Sequence, residues 1–310
     1  MVQDILVIGS LNMDQVISVP RLPMMGETLA GAGDLRLVPG GKGANQAVAM
    51  ARLGGQVTMA GRVGNDPFGR QLVEGLVADG ITADLVVSDT QSASGVAFIF
   101  LNAEGENAII ISPGANGQVG RDKEQQERIL ARLDKVRVLV LQLEIPLESV
   151  QTYIQEAHAR GVQVVLNLAP AHTLPAEILR QISVLILNES EISLLSGRKV
   201  ESQEEAYEAA SALRSQGIET VVVTLGARGA LLVTNIEGQE HSFYQEGLKV
   251  EVVDTTAAGD CFVGALVVAL TEGQGPENAL RFAVTASALK VTRFGAQPGL
   301  PRRDEITKLL

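Results

Sequence analysis

The sequence predicts an α/β fold: a doubly wound, mostly parallel sheet sandwiched by helices, with a small β-sheet lid standing off it. Three observations carry this. Short apolar runs recur along the chain: "ILVIGS" (Ile5 to Ser10), "VRVLVLQL" (Val136 to Leu143), "VQVVLNL" (Val162 to Leu168), "VLILN" (Val184 to Asn188) and "TVVVTLG" (Thr220 to Gly226). Helical spacing fills the gaps, in "ANQAVAMARLG" from Ala44, Leu147 to Ala159, Glu189 to Leu195 and Glu201 to Gln216. The runs are apolar at successive positions, as strands covered on both faces must be.

Two segments break this rhythm. Pro20 to Val38 is loop-like, with Pro20, Pro23, Gly26, Gly31 and Gly33. "SGVAFIFLNAEGENAIIIS" (Ser94 to Ser112) reads as two alternating strands around "AEGEN", a hairpin signal. Its apolar runs are strong for an exposed hairpin, and a β-layer serving as lid or dimer contact would account for them. The lid sub-region is expected at about residues 12–38 and 94–113. No repeat, low-complexity tract or linker divides the chain, so residues 1–310 are read as a single domain.

Composition narrows the function classes. The chain is 46% apolar yet has no stretch of eighteen uncharged apolar residues, so no membrane span is expected. The opening "MVQDILVIGSLNMD" lacks a basic region and a long apolar core, and a cytoplasmic location is expected rather than secretion. Cys261 is the only cysteine, which excludes an internal disulfide. A net charge of −11 argues against broad nucleic-acid binding. His158, His172 and His241 have no metal-ligand spacing and read as surface or packing residues.

Ligands of parallel sheets gather beyond the carboxyl ends of the strands. In "GSLNMD" (Gly9 to Asp14), Asn12 and Asp14 alternate and face one way along an extended backbone, as a polar turn or as a grip for vicinal hydroxyls. In "PGGKGANQAVAMARLGG", the glycines Gly40, Gly41 and Gly43 permit close backbone approach to a ligand, and Lys42 and Asn45 add donors. The Walker pattern is absent because Gly43 follows the lysine. Glu144 ends an apolar strand, either capping the next helix or entering the crevice. Asn188 and Glu191, three apart at a helix start, suit either a cap or a hydrated Mg²⁺. "TLGARG" (Thr224 to Gly229) is a strand end and flexible turn that would follow a nucleotide or enter a hairpin. In "VEVVDTTAAGDCFVGALVVAL", a β-branched run stops at Asp254, small residues follow, and an apolar helix begins at Asp260. Local sequence leaves Asp260 readable as an N-cap or as a proton acceptor at a helix start that attracts anions.

Together, "GGKGANQAVAMARLG" and "DTTAAGDCFVGAL" resemble the two signatures of the ribokinase family of carbohydrate kinases. "GSLNMD", "VGNDPFG", "EGEN", "PGAN", "NESE", "TLGARG" and "VTRFGAQP" fall in family order over almost the whole chain. The resemblance implies ATP-dependent phosphorylation of D-ribose at its 5-hydroxyl, with Asp260 as base and the N–H groups of Ala257, Ala258 and Gly259 as anion hole. It implies sugar contacts from Asn12, Asp14, Gly40, Gly41, Lys42, Gly43, Ala44, Asn45 and Glu144. Nucleotide contacts would come from Asn188, Thr224, Leu225, Gly226, Ala227, Arg228, Gly229 and Gly259. Mg²⁺ would sit near Asn188 and Glu191 through water. An activating K⁺ would lie among Asp254, Thr256, Lys290, Arg293, Gly295 and Gly299, mostly on backbone carbonyls, and a homodimer would form through the lid strands.

Two positions depart from the family pattern: Val284 stands where some members carry a histidine near adenine, and Gly299 where some carry a serine at the cation site. Cys261 beside the base reads as packing. Three rivals frame the expectation: a kinase for deoxyribose, a ribonucleoside, fructose or a keto-deoxy sugar acid; a silent sugar-binding relative; and a Rossmann dehydrogenase. The last lacks G-x-G-x-x-G after its first strand.

Overall fold

The computed structural model describes residues 4–102 and 107–310. The core of the fold is a nine-stranded sheet. Its strands are β1 (Asp4–Ile8), β4 (Gln56–Gly64), β5 (Thr82–Asp89), β8 (Val138–Leu141), β9 (Gln163–Asn167), β10 (Val184–Asn188), β11 (Thr220–Thr224), β12 (Gly229–Ile236) and β13 (Gln239–Glu246). They lie in the order β13-β12-β11-β10-β9-β8-β1-β4-β5, parallel from β11 through β5, with the β12–β13 hairpin antiparallel at one edge. The chain begins in the middle of the sheet, builds outward to β5, then returns to β8 on the other side of β1. The crevice between β1 and β8 is therefore the topological switch point, where doubly wound sheets bind ligands.

Alternation explains the covering layers. Ile5 and Val7 of β1 join one core and Leu6 and Ile8 the other; Val138 and Val140 separate from Leu139 and Leu141 in the same way. On the first face lie α1 (Lys42–Arg52), α2 (Pro67–Ala78), α8 (Ala258–Thr271), α9 (Pro276–Val291) and α11 (Arg303–Thr307), with the short α10 (Ala296–Gly299) beside α1. On the second lie α3 (Lys123–Leu133), α4 (Leu147–Ala159), α5 (Ala176–Leu179), α6 (Glu189–Ser196) and α7 (Gln203–Ser215). Phe262 and Leu266 anchor α8, buried at 2% and 0% exposure. Gly264 lets α8 meet α1 directly, since a Cβ there would lie 2.6 Å from that of Ala49. No helix of the described residues is long and apolar enough to cross a membrane.

A second sheet has four strands, β3 (Ala32–Gly40), β2 (Asn12–Ser18), β6 (Gly95–Leu101) and β7 (Asn107–Ser112). β2 runs parallel to β6, and the outer pairs are antiparallel. Its inner face buries Val16, Val38, Ala97 and Ile99 against Ala296 and Ala257. The hairpin expected over Ser94 to Ser112 is present as β6 and β7, although residues 103–106, most of its "AEGEN" turn, lie outside the described residues. The loop expected over Pro20 to Val38 is overturned in its second half, which forms β3. The glycines and exposed outer face of β3 hide its alternation, and pairing with β2 supplies the order that local preference lacks. The β-branched run Val250 to Val253 forms no strand; it is exposed loop in front of α8.

Candidate active site

Beyond Ile8 the chain passes through Gly9 to Leu11 directly into β2, and α1 starts beside that bend. A Cβ on Gly43 would lie 2.7 Å from the Gly9 Cα, so only glycine lets the helix start sit on the strand exit. Gly41 has φ 87°, and a Cβ there would lie 2.7 Å from the Asn12 nitrogen. The Ala44 N–H donates to the Ser10 carbonyl at 2.9 Å. Glu144, three residues past β8, accepts at one carboxylate oxygen from the Ser10 hydroxyl (2.5 Å) and the Lys42 N–H (3.0 Å). It therefore satisfies the first turn of α1 across the switch point, and a charge so placed is stabilised by the helix dipole.

Asn12 and Asp14, on the buried face of β2, point the same way as alternation requires. Asn116, in the "PGAN" bend, accepts from the Leu11 N–H (2.9 Å) and donates to the Leu11 carbonyl (3.0 Å) and the Asn12 side-chain oxygen (2.8 Å). It fixes the Asn12 amide. Asp14 packs against the backbone at Gly40, where a Cβ would lie 2.1 Å from its carboxylate. Burial, together with the nearby carboxylates Glu144 and Asp260, pushes the Asp14 pKa up from 3.8 to about 7.

Asp260 lies in the first turn of α8, buried at 6% exposure. One carboxylate oxygen accepts from the Asn45 amide at 2.9 Å and the other from the Gln46 amide at 3.0 Å. Gln46 also donates to the Asn167 oxygen (3.1 Å) and accepts from Gln142 (2.7 Å). Asn45 was expected from sequence; Gln46, Gln142 and Asn167 were not. A glutamine and an asparagine in otherwise apolar runs were the available signal, since buried amides need partners.

The turn before Asp260 carries the strain. Ala257 adopts φ 58°, one of two left-handed non-glycine residues described. The N–H groups of Gly259 and Asp260 have no backbone acceptor among the described residues, whereas the Ala258 N–H donates to the Thr255 carbonyl at 3.1 Å. This corrects one member of the expected trio of anion-hole donors: the Ala258 N–H closes the turn, whereas the N–H groups of Ala257 and Gly259, and that of Asp260 beside them, have no acceptor among the described residues.

A cavity of about 260 Å³ opens on this turn, lined among others by Lys42, Asn167, Asn188, Glu191, Thr224 and Asp260. Burial works to lower the Lys42 pKa, but Asp260, Glu144 and Glu191 together hold it above the usual value. Asn188 and Glu191 form a complete capping box at α6: the Asn188 side chain accepts from the Glu191 N–H (2.9 Å), and the Glu191 carboxylate accepts from the Asn188 N–H (2.8 Å). They nevertheless line the cavity, so cap and lining are one arrangement. Beyond Thr224, Leu225 is buried and Gly226 to Arg228 form a single 3-10 turn whose arginine pairs with Glu189. Gly229 opens β12, and a Cβ there would lie 2.0 Å from the Gln245 carbonyl oxygen. Its place is thus in the hairpin, and it does not line the cavity.

The six residues expected around a potassium ion do converge, but on a lysine. The Lys290 ammonium donates to the carbonyls of Asp254 (3.0 Å) and Arg293 (3.1 Å). The Asp254 carboxylate accepts from the N–H groups of Thr256 (2.8 Å) and Gly295 (2.7 Å), and Gly299 packs on the lysine stem. Two of the expected carbonyls are therefore already bonded, and these residues do not fit an added ion. No group of three or more His, Cys, Asp and Glu among the described residues would hold a metal directly. Val284 is core, at 6% exposure, and Cys261 is fully buried, with burial pushing its thiol up to about 12. His158, His172 and His241 are exposed.

The two sequence signatures thus meet at Asp260. Residues 2–303 match the pfkB family carbohydrate kinase profile. The chain belongs to the pfkB family of carbohydrate kinases. This pfkB kinase is 40% identical over 304 residues to a ribokinase of Haemophilus influenzae, covering 98% of this chain and 97% of that one. A Bacillus subtilis ribokinase is 39% identical over 308 residues, 99% of each chain. The structure of Arabidopsis thaliana ribokinase complexed with ribose and ATP superposes with a TM-score of 0.89 at 34% identity, covering 100% of this chain and 99% of that one.

The raised Asp14 pKa has a measurable sign. Between its ordinary 3.8 and about 7, the folded kinase keeps a proton that the unfolded chain has released, so stability falls as pH rises through that window. Urea unfolding of Asp14→Asn against the parent from pH 4 to 8 is expected to remove this slope, at most about 1.4 kcal/mol per pH unit. An unchanged slope would show that Asp14 ionises normally.

Proposed function

We propose that this pfkB kinase transfers the γ-phosphoryl group of ATP to the 5-hydroxyl of D-ribose, giving ribose 5-phosphate and ADP. The observation that carries the reading is the hydrogen bond from Asn45 to Asp260, which joins the two signatures across 215 residues. It holds a carboxylate at the free N–H groups of a helix start, in a cavity shared with Lys42.

Phosphoryl transfer needs positioning and charge stabilisation more than covalent participation. In this reading Asn12 and Asp14 hold ribose hydroxyls, with Asn116 and Gly40 fixing their side chains. Asp260 takes the proton of the 5-hydroxyl as that oxygen attacks; Asn45 and Gln46 keep the carboxylate aimed while leaving it other lone pairs. The N–H groups of Gly259 and Asp260, at the positive end of α8, receive charge on the transferring group. Lys42, held cationic by three carboxylates, adds a point charge. The nucleotide lies along Asn188, Thr224 and the turn from Gly226.

The Glu191 and Asp260 carboxylates and the Asn167 amide are hard oxygen donors on one cavity, and they suit Mg²⁺ held through water. When bound, that ion would neutralise phosphate charge. The smaller sheet supports a homodimer: Leu37, Phe98 and Ile110 share its outward face and are 39–63% exposed, and a second copy would cover them. The cytoplasm, where ATP is supplied, is the setting this reading assigns.

An ADP-release assay across sugars tests the substrate: turnover is expected with ribose above 2-deoxyribose, fructose and ribonucleosides, and silence with ribose would refute it. Asp260→Asn should lower kcat by about 10²–10⁴-fold while ATP affinity by calorimetry stays level; retained turnover would remove Asp260 as base. Ile110→Asp should sediment near 32.7 kDa where the parent sediments at about twice that mass. A parent already at the single-chain mass would end the dimer reading.

A further inference from the structure

Lys290 is among the largest side chains buried without any solvent exposure, and the chemistry above does not use it. A buried ammonium normally has a carboxylate partner. Among the described residues Lys290 makes no ion pair; its partners are two backbone carbonyls, those of Asp254 and Arg293. Arg293 instead pairs its own guanidinium with Glu305. Burial pushes the Lys290 pKa down, while the Asp254 carboxylate pushes it back up.

The place of these carbonyls matters. Asp254 begins the turn whose other end holds Ala257 in a strained conformation and presents the Gly259 N–H. From the same helix, the Ser287 hydroxyl donates to the Ala258 carbonyl at 3.0 Å. α9 therefore grips both ends of the turn from behind. Room for the lysine exists because position 299 is glycine: a Cβ there would lie 3.0 Å from the Lys290 Cε and 3.1 Å from its Cδ. A serine at that position would press on the stem.

We infer that the Lys290 ammonium is a tethered monovalent cation, holding the 254–259 turn in shape so that the transfer reaction runs without an added alkali-metal ion. Lys290 is on this account a positioning residue, and the inference rests on the kinase reading above.

The experiment compares KCl with tetramethylammonium chloride at equal ionic strength and fixed Mg²⁺. Parent rates are expected to agree within about twofold in the two salts, and Lys290→Ala in tetramethylammonium to lose on the order of 10- to 100-fold in kcat with ribose KM little changed. Potassium or methylammonium, but not tetramethylammonium, should restore the variant, a rescue that a purely structural lysine would not show. Thermal melting gives a readout independent of turnover: potassium should raise the melting temperature of Lys290→Ala and leave the parent unmoved. Parent activation by potassium beyond about fivefold, or a variant that neither falls nor responds, would overturn the inference. Lys290→Met keeps the apolar stem and serves the same comparison if the alanine variant does not fold. A parent inactive on every sugar but with a salt-indifferent melt and a potassium-responsive variant would sink the function and leave the tethered cation standing.

Discussion

The contact between Asp260 and the two amides of Asn45 and Gln46 is the constraint on which the site depends. A carboxylate at 6% exposure needs donors, and a helix start alone would leave it free to turn among several. Two neutral amides supply hydrogen bonds without supplying a full opposite charge, so the group is fixed in direction and not locked into an ion pair. Gln46 is in turn held by Gln142 and Asn167, which rise from the ends of β8 and β9. The sheet thus reaches the reacting group through a chain of amides, and the apolar layers on both faces keep that chain from shifting.

Charge is spread around this centre with economy. Asp14, Glu144, Glu191 and Asp260 share the neighbourhood with one cation, Lys42, and their mutual repulsion is answered locally. Glu144 accepts from the first turn of α1 and Glu191 from the first turn of α6, so two of the four acids act as caps while facing the crevice. Asp14, buried beside Glu144 and Asp260, has its pKa pushed up to about 7. At α1 and α6 the cap and the site are one arrangement.

Much of this was legible in the sequence, for identifiable reasons. β10 and α4 match their expected spans because a doubly buried strand and a long amphipathic helix carry strong periodicity. β3 was hidden because it is exposed over most of its length and mixes glycine, charged and apolar residues without a clear alternation, and only its neighbour β2 gives it order. At the site, Asn45 and Asp260 stand out beside glycine-bearing turns and Glu144 at a strand end, but local sequence left Glu144 and Asp260 readable as caps, and the resemblance to the two kinase signatures supplied their roles. Gln46 and Asn167 are amides inside apolar runs, which local reasoning reads as exceptions until a partner is known. The role of Lys290 was least visible, since a lysine near the end of a helix normally reaches solvent, and only its contacts show that it turns inward.

The order of strands bears on how the molecule comes into being. β1 is made first yet occupies the interior of the sheet, flanked by β4 from one direction and β8 from the other. The segment that carries Asp260 is made late and must return to pack on α1, whose amides have waited since residue 45. Pairings of such long sequence separation close slowly, after most of the loop entropy has been spent. A chain that stops short of residue 260 lacks both the carboxylate and the helix start on which the site is built, however much of the sheet precedes them.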